Sequence, residues 1–371
     1  MATIAPPDAS TLEFPTTGVS SDRRAVGQLL IFGSTLALLI VAGWQLLHET
    51  NHLDSGFSNW RPVLYVYTLW AVLLCTGLVL TKGERGRRAL FVLPAILFTF
   101  SMVIFPTVFG LYIAFSDWNL SSRSGRHFSG FDNLRSMVRD SFYRGALTNM
   151  VYYVLSVFVQ YGIAFGLALL LNEEIRGRKF FRVVFLLPFM LSPVAVSWMI
   201  GKSIMDLRFG PASTIARKLG WDTPAYFGSA WPARLSVMAM DAWVWIPFMM
   251  VLLLAGLQGL PGEVMESAKV DGATGWKAFW QMIFPLLLPV SVTAVILRII
   301  FELKLADLVI TMTGGGPGGA TDTVTSFIYR EYRDRSNVGY GTALAQVYLI
   351  IIIVFMLILL WLTNKWMKRF A

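Results

Sequence analysis

The amino-acid sequence predicts an all-α integral membrane protein with eight transmembrane helices, and three observations point to this fold class. Of the 371 residues, 56% are hydrophobic and only 14% are charged, whereas soluble domains are nearer a quarter charged. The mean hydropathy is +0.61. Eight apolar runs are each long enough to cross a hydrocarbon core of about 30 Å.

The predicted spans follow a polar N-terminal segment, residues 1–28, whose prolines and serines are typical of a disordered cytoplasmic tail. Arg23 and Arg24 precede the first apolar run. Because no small-residue cleavage site follows that run, we expect a membrane anchor and not a removed signal peptide. The spans are predicted at residues 29–47, 62–80, 89–115, 151–171, 181–205, 233–257, 286–309 and 341–363.

The orientation of the helices is predicted from Lys and Arg in the short loops, which favour the cytoplasm. Basic residues crowd the loops after the second and fourth helices, at residues 82–88 and 176–182, and the C-terminus. These clusters share one side if both termini are cytoplasmic. The loop over residues 117–146 fits less well, because it also carries five arginines and must lie outside. Its arginines are dispersed among aspartates.

Charge and composition exclude several function classes. The net charge of +9 indicates basic cytoplasmic edges and not nucleic-acid binding. The single cysteine, Cys75, lies in an apolar run, which excludes an intrachain disulfide and a cysteine-based metal site. The complete Gly-x-x-x-x-Gly-Lys-Ser/Thr pattern of a nucleotide-binding loop does not occur, because Gly201-Lys202-Ser203 has Val196 where that loop needs its first glycine, and no catalytic triad or paired-histidine arrangement is present. We therefore expect no cofactor, no metal and no ATP-hydrolysing site in this chain.

One polar interruption, residues 257–289, separates two of the predicted spans and is predicted to form two short helices joined by a sharp turn. Pro261 can begin the first helix, with Glu263 and Glu266 in its first turn, where the helix dipole favours negative charge. The pair Asp271–Gly272 ends that helix, since glycine accepts a left-handed backbone. A second helix is predicted from Thr274 through Phe279, ended by Pro285 at the membrane entrance. Such a protruding knob suits contact with another protein.

The same interruption carries the residues of a known family. The stretch from Glu266 through Ala273, followed by Phe279, Pro285 and Pro289, resembles the EAA–DGA–F–LP signature of binding-protein-dependent ABC importer permeases. Ser267 replaces the usual first alanine of that signature, and Met282 replaces a usual isoleucine. Further resemblance to the sugar-uptake branch, in chain order, lies in FP (105–106), AFSDW (114–118), GFDN (130–133), RKFFR (178–182), TGGGP (313–317), IYR (328–330) and GYG (339–341).

The resemblance covers roughly residues 89–371 and implies a six-helix permease core preceded by two accessory helices within residues 29–88, as in maltose-type permeases. It implies a bacterial inner-membrane location and carbohydrate uptake by alternating access. The implied partners are a second homologous permease, two ATP-binding cassette ATPase subunits and an extracytoplasmic solute-binding protein. The implied ATPase-coupling loop is residues 258–285, with Glu263, Glu266, Ser267, Ala268, Asp271, Gly272, Ala273 and Phe279 as its coupling residues. The alternative is an interfacial loop with helix caps and no partner.

A substrate pocket is predicted where polar side chains interrupt the apolar helices. A charge at mid-membrane costs roughly 2.5–3.5 kcal/mol on insertion scales and therefore usually faces a cavity or a partner. By resemblance to the pocket-lining stretches of maltose-type permeases, the candidates are Asp241, Trp245, Phe248, Phe301 and Glu302. Two alternatives stay open: Asp241 can lie at the outer interface, and Trp243 and Trp245 can serve only in packing. Glu302 and Lys304, two residues apart, lie on different helix faces.

Two readings remain open for the glycine-rich run at residues 313–319, namely a flexible connection and a part of the substrate entrance. Two rival functions fit the sequence less well. A secondary transporter needs no protruding cytoplasmic knob, and a membrane enzyme needs a catalytic carboxylate pair or metal site that the sequence does not offer. The identity of the sugar is not predicted.

Overall fold

The computed structural model describes residues 20–49, 53–123, 125–262 and 275–367, the Arg85 side chain aside, and over these residues the fold is almost wholly helical. By length and hydropathy, seven described helices could cross a membrane, or eight if one bent helix pair is a single span. The chain divides into two compact units between Phe109 and Gly110. The all-α membrane fold class is thus confirmed, while the functional division at residue 89 stays a prediction.

The first unit contains α1 (Ser21–Glu49), α2 (Arg61–Lys82) and α3 (Glu84–Thr99), followed by a π-helical turn (Phe100–Ile104) and the start of α4 (Phe105–Ala114). Helices α1 and α2 approach closely at Gly27 and Gly77, where a Cβ on either glycine would lie 2.8 Å from the other's carbonyl oxygen. Small residues at such a crossing are typical of helix packing in membranes.

The second unit begins with the rest of α4 and continues with a two-stranded antiparallel hairpin, β1 (Ser116–Asp117) and β2 (His127–Phe128), followed by α5 (Asp132–Arg139). The Asn133 side chain donates to the carbonyls of Ala114 and Ser116, both at 2.9 Å, and so fixes α5 beside the strand. Helix α6 (Ser141–Asn172) starts ten residues before the predicted position because Asp140 caps it, accepting from Phe142 N at 2.8 Å.

The fifth predicted span is broken, which corrects the expectation of one helix over residues 181–205. Helix α7 (Arg178–Leu186) and a 3-10 turn (Pro188–Met190) are bent by 98° from the segment comprising α8 (Pro193–Val196) and a π-helical stretch (Ser197–Ile204). The 3-10 turn and α8 begin with Pro188 and Pro193, and Ser192 caps α8 by accepting from Ala195 N. Proline removes the N–H that a continuous helix needs at this point.

The core of the second unit is formed by α6, α10 (Ala230–Gln258) and the helix after the polar interruption. That helix runs without a break through α11 (Trp276–Ala278), a π-helical turn (Phe279–Ile283) and α12 (Phe284–Glu302). The prediction that Pro285 ends a helix is therefore wrong. It occupies the first turn of α12, and the preceding wider turn bonds Phe284 N to Phe279 O, so that the proline is accommodated.

The remaining described helices are α9 (Pro211–Lys218), α13 (Asp307–Met312), α14 (Val324–Arg333) and α15 (Val338–Met367). The predicted span over residues 286–309 is corrected as well. It begins at Trp276 and ends at Glu302, and Leu303 to Ala306 separate it from α13. Glu302 thus stands at the C-terminal end of its span.

Candidate functional site

A cluster of four buried polar side chains lies where α6, α10 and α12 meet. Asp241 of α10 and Gln160 of α6 are each 1% exposed, and Arg298 and Glu302 of α12 are fully buried. Arg298 Nη2 pairs with Asp241 Oδ2 and with Glu302 Oε2. Arg298 Nε donates to Gln160 Oε1 at 2.9 Å, and Gln160 Nε2 donates to Asp241 Oδ2 at 2.9 Å. One guanidinium thus links three helices.

The cluster keeps hydrogen-bonding capacity that the described protein atoms do not use. Asp241 Oδ1, Arg298 Nη1 and Glu302 Oε1 are shielded from solvent and have no hydrogen-bond partner among the described residues. Unpaired buried polar atoms each cost about 1–3 kcal/mol. They offer two acceptors and one donor, which is the complement that a polyhydroxy ligand requires.

An aromatic wall borders the cluster. The Trp245 and Phe301 rings stack with centroids 4.7 Å apart, and Phe248 lies edge-on to Trp245 at 5.8 Å. Phe189, beyond α7, contacts both Trp245 and Phe248 at about 5.5 Å between centroids. The Arg298 guanidinium carbon lies 4.9 Å from the centre of the Trp245 ring. Polar and flat apolar surfaces therefore adjoin one another here.

The structure brings all five pocket candidates together around Arg298. Asp241 and Glu302 are buried in the ion cluster, Trp245 and Phe248 are half-buried, and Phe301 is 40% exposed. Their role in binding substrate stays a prediction. Trp243, one of the tryptophans left open by the sequence, is 39% exposed and takes no part in the aromatic wall.

Two members of the cluster, Arg298 and Gln160, were missed from the sequence. The signal for Arg298 was present, because Arg298 and Glu302 are four residues apart and thus on one helix face. Lys304, two residues after Glu302, is exposed beyond the end of α12. Gln160 is uncharged, and no sequence pattern distinguishes it from other polar residues in α6.

Most of the predicted coupling residues, Glu263, Glu266, Ser267, Ala268, Asp271, Gly272 and Ala273, lie outside the described residues. Phe279 is described and is half-buried in an aromatic group, with its ring edge-on to Phe165 at 5.4 Å and next to Trp280 at 5.0 Å. Trp276 and Trp280 are exposed by 74% and 57%. Phe279 thus anchors the end of the interruption to α6.

The helices on either side of the interruption are the ones that carry the ion cluster. Asp241 precedes the end of α10 by about 25 Å of helix, and Arg298 follows Phe279 by about 28 Å at 1.5 Å per residue. Each partner of the Arg298–Asp241 pair is therefore joined to the interruption by one helix.

A second polar network closes the glycine-rich turn at residues 313–323. Thr313 and Thr321 hydroxyls lie 2.7 Å apart, and Asn149 of α6 donates to the carbonyls of Gly319 and Asp322 at 3.0 and 2.9 Å. Arg330 pairs with the buried Asp322 carboxylate. Burial raises the pKa of Asp322, and the Arg330 guanidinium partly offsets that rise. The turn is therefore held by many bonds, although its place at a substrate entrance stays a prediction.

Comparison with known proteins gives one family match and several related transport proteins. Residues 76–368 match the family described as binding-protein-dependent transport system inner membrane component. The chain is 29% identical over 286 residues to the trehalose/maltose transport system permease protein MalF of Thermococcus litoralis, covering 76% of this chain and 96% of the relative. It is 31% identical over 271 residues to the sulfoquinovosyl glycerol transport system permease protein SmoG of Agrobacterium fabrum, covering 72% and 87%.

Among solved structures, the fold is similar to a chain of a bacterial alginate ABC transporter in complex with an alginate pentasaccharide-bound periplasmic protein. The TM-score is 0.65 at 20% identity, with 83% of this chain and 98% of that chain covered.

Proposed function

The chain belongs to the family of binding-protein-dependent transport system inner membrane components, and on this premise we propose that it carries a neutral carbohydrate across the cytoplasmic membrane by alternating access. It is a permease subunit of an ABC transporter and not an enzyme, and ATP hydrolysis takes place on a separate chain. It works with an ATPase and a solute-binding protein in the inner membrane.

The observation that carries the proposal is the position of the buried ion cluster. It lies between the two helices that flank the predicted ATPase-coupling segment, next to the aromatic wall of Trp245, Phe248 and Phe301. Sugars bind proteins through hydroxyls that pair with carboxylates and guanidinium groups and through apolar ring faces that stack on aromatic side chains. Charged groups and aromatic rings lie next to each other at this cluster.

Charge narrows the substrate class. The relatives include permeases named for neutral sugars, such as trehalose/maltose, and for anionic compounds, such as sn-glycerol-3-phosphate. In this chain two carboxylates face one guanidinium, so Arg298 has no excess positive charge to offer a phosphate or sulfonate. We therefore place the substrate among neutral mono-, di- or oligosaccharides and related polyols.

Transport requires the substrate and ATP to favour different states of the permease. In the proposed cycle, closure of two ATPase subunits pushes on one coupling loop in this chain and on another in a second, homologous permease. Helices α10 and α12 transmit the push, the Arg298–Asp241 pair changes its partners, and the substrate gains access to the inside. Both termini are placed in the cytoplasm on the charge of the loops.

The test is ATP-dependent uptake in proteoliposomes that contain this chain, the second permease, the ATPase and the solute-binding protein encoded nearby. We expect accumulation of a neutral sugar that requires ATP, and we expect the purified chain alone neither to bind nor to hydrolyse ATP. Accumulation driven by an ion gradient without ATP would instead identify a secondary transporter. ATP turnover by this polypeptide alone would contradict the proposal.

A further inference from the structure

Two arginines at the start of α7 converge on one neutral oxygen. Arg178 and Arg182 lie one helical turn apart, and Gln258, with its carboxamide oxygen assigned toward them, accepts from Arg178 Nη2 at 2.8 Å and from Arg182 Nη2. Arg178 Nε donates to the Leu171 carbonyl at 2.7 Å. Arg182 Nε is shielded from solvent and has no hydrogen-bond partner among the described residues.

No carboxylate neutralises this pair within the part of the chain that the structure describes. The ion pairs found there involve other arginines, and the acids nearest in sequence, Glu173 and Glu174, are exposed and take part in none of them. Like charges at this spacing repel each other. The site thus holds two positive charges, one neutral acceptor and one unused N–H donor, which together suit an anion such as a phosphate.

Arg182 and Gln258 border an apolar slot between α7 and α10. A cavity of about 220 Å³ is lined by Arg182 and Leu186 on one helix and by Gln258, Ala255 and Val251 on the other. The polar lining residues, Arg182 and Gln258, lie at one end of the cavity. The apolar lining residues lie one or two helical turns away from them along the same helices. A charged end followed by an apolar lining matches the chemistry of a phospholipid headgroup and the adjoining part of its acyl chain.

The position of the slot along α7 and α10 agrees with a lipid in one leaflet of the membrane. Helix α7 runs antiparallel to α10, since Arg178 and Arg182 meet Gln258 at the end of α10 while Phe189 meets Trp245 and Phe248 farther along. The arginines therefore lie at the edge of the apolar region and belong to the basic stretch at residues 176–182. Basic clusters at the cytoplasmic edge of transmembrane helices are where anionic headgroups bind.

We propose that Arg178, Arg182 and Gln258 bind the phosphate of an anionic phospholipid, with one acyl chain in the slot beside Leu186, Val251 and Ala255. The lipid phosphate pairs with both arginines and offsets one of their two positive charges, and the lipid occupies the space between α7 and α10. Because α10 also carries Asp241, the lipid stabilises the helix arrangement around the ion cluster. The site does not depend on which substrate is transported.

The test is native mass spectrometry of the purified full-length chain with added phosphatidylglycerol, phosphatidylcholine or inorganic phosphate. Wild-type protein should retain one phosphatidylglycerol under conditions that remove phosphatidylcholine, and millimolar inorganic phosphate should not displace it. Arg182→Gln removes a headgroup ligand, and Ala255→Phe fills the slot, so each should weaken retention about fivefold or more. Lys179→Gln, which removes an exposed charge of the same helix outside the slot, should leave retention unchanged.

Other outcomes would overturn the proposal. Equal retention by Arg182→Gln and wild type would show that the arginine pair does not bind the headgroup, and equal loss in Lys179→Gln would indicate unspecific attraction to a basic surface. Displacement by inorganic phosphate would identify a site for free phosphate. Exclusion of the lipid on assembly with the second permease would assign the slot to the subunit interface. Thermal unfolding in lipid-free detergent controls for misfolding, because without the lipid Arg182→Gln should be no less stable than wild type.

Discussion

Arg298 and Glu302 form an ion pair across one turn of α12 that is fully removed from solvent, and the same guanidinium pairs with Asp241 of α10. Three charges are therefore desolvated at the junction of α6, α10 and α12. Pairs of this kind contribute little net stability when compared with an apolar replacement, but removing one partner leaves an unpaired buried charge. We expect this cluster to specify one arrangement of the three helices.

Replacement of the central guanidinium tests this account. Arg298→Met leaves two carboxylates buried without a cation, and we expect a loss of about 3–5 kcal/mol in the free energy of unfolding. The triple variant Asp241→Asn, Arg298→Met and Glu302→Gln has no net charge in the cluster and should recover most of that stability while transport stays abolished. Thermal unfolding in detergent and sugar uptake measure the two effects. Recovery of uptake together with stability would show that the cluster serves packing alone.

The aromatic wall permits a comparison within one helix. Trp245→Ala removes the ring that stacks on Phe301 and lies beside Arg298, and we expect sugar uptake to fall at least tenfold with normal assembly of the transporter. Trp243→Ala removes a ring of the same type from an exposed position two residues away. Its uptake should stay within about twofold of wild type. Similar losses in both variants would mean that α10 needs bulk in general and would place the sugar elsewhere.

Hydropathy was sufficient to predict the membrane fold, because every span is an apolar run of adequate length. It could not predict the bend between Met190 and Pro193, since a broken span has the same composition as a straight one. Pro285 was expected to end a helix, but a π-helical turn before it relieves the conflict. The clustering of Asp241 with Glu302 was suggested by their cost in a membrane. Gln160 depends on tertiary contacts between helices far apart in sequence, and such contacts leave no local pattern.

The glycine-rich turn offers a matched pair of glycines. Both Gly315 and Gly318 have positive φ, 88° and 59°, so a side chain strains the backbone at either position by about 1–2 kcal/mol. A Cβ at Gly315 would also overlap the Asp322 carboxylate, whereas a Cβ at Gly318 meets no atom within 4 Å. We expect Gly315→Ala to lower the unfolding temperature more than Gly318→Ala does, because it displaces Asp322 from Arg330 and Ser326. Equal effects would show that Asp322 does not depend on the close approach of Gly315.

The coupling segment carries the last prediction, which rests on its sequence and on the helices at its two ends. Gly272 follows Asp271 at the predicted end of a short helix, and Glu266 precedes it by six residues. We expect Glu266→Lys and Gly272→Pro to uncouple the transporter, because a reversed charge or a rigid proline in a docking knob weakens contact with the ATPase. An exposed ion pair is worth about 0–1 kcal/mol, but an enclosed one costs several when broken.

Glu174→Lys is the matched control for Glu266→Lys, since it reverses an exposed carboxylate in another predicted cytoplasmic loop. Neither coupling variant changes a spanning helix, so permease levels in the membrane should equal those of wild type. ATPase copurification and sugar uptake are then compared at equal permease levels. With Glu266→Lys or Gly272→Pro, ATPase retention should fall, or ATP turnover should continue without uptake, because α10 and α12 no longer receive the push that moves Asp241 against Arg298. Full uptake with normal ATPase retention in both variants would assign coupling to a different loop of the chain.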